Sequence, residues 1–387
     1  MHITVQRNNS SFRFVSKCIL LISPEDWDFI FVSKHHYAIE LAKRGNTVFF
    51  LNPPTKGKFR QLDITAVDYI PGLYIVDYSA KLRGLRFLPP FLMRRVERTL
   101  LKKLERQTLK KIDVVFNFEN SRFYDMRFAD PEVLKLYFQV DEDQRFHPEI
   151  AAATANIAMA INSEILDIIS PHNPFCHLIP HSFQGDLSPV AKEILAGNYH
   201  YSRPEGELCF MYIGNLDHGF LNIDLFEKLV RTHPKFRFRL VGPYDPKKNL
   251  YQRLKIFQHV EFVGRIPSYE IPQMLDRADA LILLYGKGFN FSSHKILEYL
   301  SSGKAIISTY MHEYLGKESL LYMSQTDEEY LEQFSRVTGN IEYFNSHALM
   351  ESRIRFALDH TYSQQIERLE KYINEWYSKA FQSVNVV

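Results

Sequence analysis

Two doubly wound α/β domains are the architecture this sequence predicts, and three observations predict it. The 387 residues are too many for one ordinary core and fit two domains of roughly 150–200 residues each. Hydrophobic residues make up 45% of the chain and charged residues 24%, the balance of a globular protein. Short apolar runs alternate with amphipathic stretches along most of the length, which implies largely parallel sheets covered on both faces.

The first series opens at CILLIS (18–23), a strand. HHYAIELAKRG (35–45) follows as a helix closed by Gly45, then TVFFLNPP (47–54) as a strand stopped by two prolines. ITAVDYI and LYIVDYS flank Pro71-Gly72 and read as a hairpin-like pair. A long helix at about 90–110 precedes the buried strand IDVVFNF (112–118). KLYFQV (135–140) and IAMAIN (157–162) continue the series, and HLIPHS (177–182) ends it.

The second series begins at CFMYIG (209–214). Its later strands are FRFRLVG (236–242), VEFVG (260–264), ALILLY (280–285), AIIST (305–309) and LLYM (320–323). IDLFEKLVRTH and PSYEIPQMLDRA fit between them as helices. A polar stretch around 186–206 separates the two series. The expected domains are therefore 14–186 and 206–358, followed by a terminal helix over 359–381. Ligands in such sheets collect at the carboxyl ends of the strands, so the expected site is a cleft where the two domains face each other.

No run of about 18 apolar residues is present to span a bilayer, and MHITVQRNNSSFRF lacks the apolar centre of a secretory signal. Cys18, Cys176 and Cys209 are too few and too scattered for a disulfide framework or a zinc set. A cytoplasmic protein is expected. The net charge of +2 is nearly neutral, but its distribution is not. From Lys81 to Lys111 there are eleven Lys/Arg residues against Glu97 and Glu105. Apolar residues at 92/93, 96, 100/101, 104 and 109 trace the buried stripe of an amphipathic helix, leaving Arg94, Arg95, Arg98, Lys102, Lys103 and Arg106 largely off it. Such a face is either merely solvated or rests on anionic lipid at the inner leaflet. Nucleic acid is not an expected partner.

ALILLYGKGFNFSSHKILEYLSSGKAII reads as strand, loop, helix, tight turn, strand. Ser292 or Ser293 can N-cap the helix and Gly303 can close it. Ile296, Leu297 and Leu300 share a face, while Lys295 and Glu298 lie opposite, with side chains free to meet a ligand. The helix start suits a pyrophosphate, and a carboxylate one turn further in suits the hydroxyls of a ribose. Read by periodicity alone, the same pair is also an ordinary solvated Lys–Glu pair.

The stretch from Lys295 to Thr309 resembles the lysine, glutamate and glycine-lysine signature of GT-B glycosyltransferases, and more narrowly of the retaining family 4 (group 1) enzymes. The resemblance extends upstream through VEFVGRIPSYEIPQMLDRADALILLY (260–285) and FMYIGNLDHGFLNIDLFEKLVRTHPKFRFRLVGP (210–243). Over about 15–185 it is architectural only. It implies two Rossmann-like domains, the N-terminal one for the acceptor and the C-terminal one for the donor, with a last helix crossing back to the first domain. Glu298 would then bind the donor ribose. Lys295, with backbone N–H groups near Ser292, Ser293 and His294, would hold the diphosphate. Gly264, Arg265 and Ile266 would lie against the nucleobase, and Gly214, followed by Asn215, would let the pyrophosphate approach closely.

Two departures stand out. Where family members often carry a glutamate eight residues before the ribose glutamate, this chain has Asn290. The basic pair that many members place after the Gly214 loop is missing, leaving Lys295, Arg265, His218 and Lys287 as candidates for the phosphate charge. In the N-terminal half, Trp27, Asp28, His35 and His36 occupy the loop where an acceptor would sit. Asn117 or Glu119 stands where similar enzymes often have a histidine. Asp141-Glu142-Asp143 follows an apolar run as a metal-binding acidic motif would, but a metal-free role is favoured for Asp141.

The expected activity is transfer of a sugar from a nucleotide-diphosphate donor to a glycan or lipid-linked acceptor in surface polysaccharide or glycolipid synthesis. The resemblance implies retention, with no tightly bound cofactor and no metal. The expected catalytic residues are Asn290, Asp141, Glu119 and His36. A nucleotide-sugar epimerase of the same fold and a non-catalytic binding partner are the alternatives.

Overall fold

The computed structural model describes residues 11–28, 31–55, 62–79, 89–141, 144, 146–286 and 294–384. The chain divides into two compact units, Met1–Pro180 with Tyr362–Val387, and His181–Thr361.

The first unit is built from β1 (Cys18–Ile22), α1 (Ser33–Lys43), β2 (Thr47–Leu51), β3 (Asp63–Ala66), β4 (Leu73–Asp77), α2 (Pro90–Thr108), β5 (Val114–Asn117), β6 (Leu134–Gln139), α3 (Pro148–Thr154), β7 (Ile157–Ala160), α4 (Ser163–Ile169) and β8 (Cys176–Leu178). Its sheet runs β3-β4-β2-β1-β5-β6-β7-β8. Every pairing is parallel except the β3–β4 hairpin around Pro71-Gly72. The central strands β1, β5 and β6 are buried at every position, as strands covered on both faces are, and are mostly apolar, with Asn117, Lys135 and Gln139 as buried polar exceptions.

The second unit comprises α5 (Pro189–Leu195), β9 (Cys209–Ile213), α6 (Ile223–Thr232), β10 (Arg237–Val241), α7 (Asn249–Leu254), β11 (Val260–Gly264), α8 (Ile271–Leu275), β12 (Ala280–Leu283), α9 (His294–Ser301), β13 (Ala305–Thr309), β14 (Tyr322–Ser324), α10 (Asp327–Gly339), α11 (Ile341–Phe344) and α12 (His347–Leu358). Its sheet, β11-β10-β9-β12-β13-β14, is wholly parallel. The stretch 186–206, polar in the sequence, contains α5, whose Ala191 and Ile194 pack on Met350 and Ile354 of α12. Its apolar residues fill only one face, so overall composition hid the helix.

The last helix, α13 (Tyr362–Val384), returns the chain to the first unit. Ile366, Leu369 and Ile373 enter that core, and Tyr372, Trp376 and Tyr377 pack against it. Glu370 accepts hydrogen bonds from the Phe14 N–H (2.7 Å) and the Arg13 guanidinium (2.6 Å). Among the described residues no helix is long and apolar enough to cross a membrane.

The apolar stripe of α2 differs from the expected one. Met93, Glu97, Leu101 and Leu104 are buried, whereas Phe91, Leu92, Val96 and Leu109 are exposed. Glu97 belongs on the inner face because its Oε1 accepts the Phe123 N–H at 2.6 Å, satisfying a buried backbone donor. The cationic face is also less open than its sequence implies. Arg94 pairs with Asp125, Lys102 with Asp130 and Glu105, and Arg98 donates to the Phe128 carbonyl.

Candidate active site

In the second unit three neighbouring strands end in glycine at the carboxyl edge: β9 runs into Gly214, β10 into Gly242, and β11 closes on Gly264. Their backbones are stitched together, Gly214 N–H to the Val241 carbonyl and Gly242 N–H to the Gly264 carbonyl, both at 2.8 Å. A Cβ on Gly242 would stand 1.8 Å from the Gly214 oxygen, so only glycine allows this approach. Gly242 carries no motif of its own and was not singled out from sequence. The loop beyond Gly214 is tied down in turn. Asn215 Oδ1 accepts the Asp217 N–H (3.0 Å), Asp217 Oδ2 accepts the Asp245 N–H (2.7 Å), and the Leu216 N–H reaches the Pro243 carbonyl (3.0 Å).

Helix α9 addresses this edge from the side of β9. Ile296, Leu297, Tyr299 and Leu300 are buried in the core, and Gly303 ends the segment at φ 74°. The buried Tyr299 hydroxyl accepts the Ile213 N–H at 2.6 Å, fixing the end of β9 against the helix. One turn earlier, Lys295 is not directed freely into solvent. Its ammonium donates to the Tyr212 hydroxyl (3.0 Å), lies 4.5 Å from the centre of the Tyr212 ring and 5.8 Å from that of Tyr285. It also occupies the space over Gly214, since a Cβ there would be 2.2 Å from Nζ. Gly214 thus makes room for the Lys295 ammonium, a role its sequence context did not reveal.

Burial lowers Lys295 to about 8, with the Glu298 carboxylate opposing the shift. Glu298 is half-buried one turn further along α9, and its backbone oxygen takes the Ser301 hydroxyl at 2.7 Å. His218 is exposed in the same loop as Gly214, and partial burial and then the nearby Lys295 ammonium lower its imidazole. Lys295, Gly214, His218 and Glu298 therefore surround one edge of the second unit. Gly264 has open space where a side chain would be, Arg265 is exposed, and Ile266 packs partly on the core. Asn290, Ser292, Ser293, Lys287 and the His294 side chain lie outside the described residues.

Lys304, the lysine of the glycine-lysine pair, is 3% exposed. Its Nζ lies 5.7 and 5.3 Å from the ring centres of Tyr199 and Tyr201, and the Tyr201 hydroxyl is bound to Asp279 (2.7 Å). This half of the signature pins the 199–201 segment to the sheet and does not face a ligand.

The candidates of the first unit separate by environment. His35 is fully buried, with Nδ1 accepting the Val32 N–H (3.2 Å) and Nε2 against the Asp26 carbonyl (3.0 Å). It is a neutral structural histidine, lowered by burial. Trp27 is packed on Phe31, Phe50 and His35. His36, an expected catalytic residue, is half-buried with its ring against those of Phe31 and Tyr362. Glu119 is buried, with one oxygen on the Ser121 N–H (2.7 Å) and the other on Arg122 (2.8 Å). Asn117 holds the Glu119 N–H and the Phe123 carbonyl. Both of these buttress the 119–123 loop, so the expected catalytic role of Glu119 is not what its geometry offers.

Asp141, half-exposed, pairs with Lys34 at 2.9 Å; Glu142 and Asp143 lie outside the described residues. Lys34, 2% exposed, also holds Glu25 at 3.0 Å. This buried lysine between two carboxylates has no sequence signature, because a lysine in the first turn of a helix ordinarily reads as solvated.

Residues 208–340 match the family model described as glycosyl transferases group 1. No curated protein sequence matches the chain significantly. Among solved structures it is similar to a sucrose-phosphate synthase from Thermosynechococcus elongatus, at 13% identity and TM-score 0.63 over 94% of this chain and 100% of that one. It is similar to the lipopolysaccharide outer core galactosyltransferase WaaB at 15% identity and TM-score 0.60, covering 94% and 99%. Anabaena HepE in complex with UDP gives 12% identity and TM-score 0.62, covering 93% and 100%. Two Rossmann-like sheets matching these structures are the GT-B fold. The match to the group 1 glycosyltransferase model lies wholly within the second unit.

Proposed function

We propose that the protein moves a sugar from a nucleoside-diphosphate donor to a glycan or lipid-linked acceptor, with retention of configuration. The observation that carries this reading is the placement of Lys295 and Glu298 on one helix beside the glycine edge of β9–β11. A fixed cation beside backbone that only glycine can form suits a diphosphate, and a carboxylate one turn away suits vicinal hydroxyls. Gly264, Arg265 and Ile266 would meet the nucleobase. The HepE complexes with UDP and with UDP-glucose support a nucleotide-sugar ligand for this fold, with the base and sugar of this chain open.

In the reaction the bond from the anomeric carbon to the diphosphate breaks and a bond to the acceptor oxygen forms on the same face. The acceptor proton passes to a departing phosphate oxygen. The Lys295 ammonium, rather than a metal ion, meets the charge that develops on the diphosphate. The acceptor would be held by the first unit, where Asp141 is fixed by Lys34. A role in surface polysaccharide or glycolipid synthesis is in keeping with the lipopolysaccharide outer core galactosyltransferase WaaB among the structural neighbours.

The test is thermal-shift screening against UDP-, GDP-, ADP-, TDP- and CMP-linked sugars. A ligand at 100 times its dissociation constant stabilises by about 2.7 kcal/mol. Glu298→Ala is expected to abolish the shift given by the true donor. Shifts that survive this substitution for every donor would remove Glu298 from the site.

A further inference from the structure

We propose that Tyr212 is the positioning residue for diphosphate recognition: its hydroxyl and ring hold the Lys295 ammonium beneath Gly214, where the ammonium meets the donor phosphates. The proposal rests on the reading of the second unit as a nucleotide-sugar site. The loop from Gly214 to Gly219 contains no lysine or arginine, so the positive charge that loop lacks must come from another element. Lys295 supplies it from α9, but a lysine on a first helical turn is an ammonium on a flexible, hydrated stem. Left alone, it would sample solvent.

Tyr212 removes that freedom with two contacts at once, an acceptor oxygen at 3.0 Å and a ring face at 4.5 Å. Tyr212 is itself immobile, 1% exposed within β9, and the next residue, Ile213, is fastened to the Tyr299 hydroxyl. Its phenol stays protonated because burial raises it well above its ordinary range. Gly214 is the third part, since any side chain there would fall on Nζ. Among the described residues, the groups facing the ammonium include the rings of Tyr212 on β9 and Tyr285 after β12, Glu298 on its own helix, and His218 from the β9 loop.

The experiment titrates the protein with the nucleoside diphosphate that gives the largest thermal shift among UDP, GDP, ADP, TDP and CDP, by calorimetry from about pH 6 to 9.5. In the wild type, affinity changes near about pH 6–7 as His218 and the terminal phosphate titrate, and falls above about 8 as Lys295 loses its proton. Tyr212→Phe keeps the ring and the packing and removes the acceptor. It is expected to weaken binding at pH 7 by about tenfold, the worth of one charge-assisted hydrogen bond. It should also move the alkaline fall to lower pH, because the ammonium has lost a partner. Lys295→Met removes the fall entirely. Gly214→Ala, which touches neither side chain chemically, should mimic Lys295→Met by evicting Nζ. If Tyr212→Phe lowers only the melting temperature and leaves affinity and its pH profile unchanged, while Glu298→Ala still abolishes binding, Tyr212 is core alone and the proposal is overturned. Failure of every nucleoside diphosphate to bind the wild type would instead overturn the donor-site reading beneath it.

Discussion

Glu97 shows what a single buried carboxyl does to this protein. Burial pushes it from 4.5 up to about 8, against the opposing effect of the Phe123 N–H. Between those values the folded chain holds a proton that the unfolded chain has released, so stability falls as pH rises across the window and is level below it. Glu97→Gln preserves an acceptor for Phe123 and removes the ionisation. It is expected to match the wild type in urea unfolding at pH 4 and to exceed it by about 1–3 kcal/mol at pH 8.5. Equal stabilities at pH 8.5 would show that this carboxyl ionises without cost. Lys34 makes the opposite case, a buried cation between the partly exposed Glu25 and Asp141. Lys34→Met is expected to destabilise by about 1–3 kcal/mol at pH 7, less than a fully buried pair because solvent screens both acids. Glu25→Gln in that background should recover part of the loss, measured as a double-mutant cycle. Neither residue was legible in sequence, since a charged side chain on a helix reads as exposed by default. Tyr212 and Tyr299 were hidden for the converse reason: a tyrosine inside an apolar run reads as core, whatever its hydroxyl holds.

At the scale of elements the sequence was far more informative. The central strands β1, β9, β12 and β13 fall within apolar runs, because parallel strands buried on both faces leave few polar positions to blur the pattern, whereas the edge strands β3, β8 and β11 are partly exposed and carry polar residues. Helix faces were harder. In α2 the apolar residues outnumber the buried positions, and Glu97 takes one of those positions, so the stripe rotates and leaves Phe91, Leu92 and Val96 outside. These three share a surface with Arg95, and Arg95 makes no ion pair among the described residues. With Arg94 and Lys102 committed to carboxylates, the apolar side chains carry more of any lipid contact than the sequence charge implies. The expected outcome follows from that balance. In flotation with liposomes containing anionic lipid, Phe91→Ser combined with Val96→Ser should reduce binding more than Arg94→Gln, and high salt should weaken binding only partly. Flotation that ignores Phe91 and Val96 but vanishes with salt would return the contact to charge alone. No flotation at all would remove membrane contact through α2.

For the whole molecule, connectivity matters as much as composition. The second unit is one continuous segment, His181–Thr361, whereas the first is assembled from both ends of the chain. Its core needs Ile366, Leu369 and Ile373 from α13, and its N-terminal strand region needs Glu370, which holds Phe14 and Arg13. Removing α13 would expose three buried aliphatic side chains, each contributing about 1.5–3 kcal/mol of burial, and leave the Phe14 N–H without its acceptor. That sum is comparable to the entire stability of an ordinary domain. A fragment spanning 1–180 should therefore remain unfolded or molten by circular dichroism, and a synthetic peptide covering 362–384 added in trans should restore cooperative melting. The fragment 181–361 carries its own sheet, its own core and the Lys295–Glu298 edge. It is expected to fold alone and to bind the nucleoside diphosphate with the affinity of the intact chain. Cooperative folding of 1–180 without the peptide would show that α13 adds to a core already sufficient.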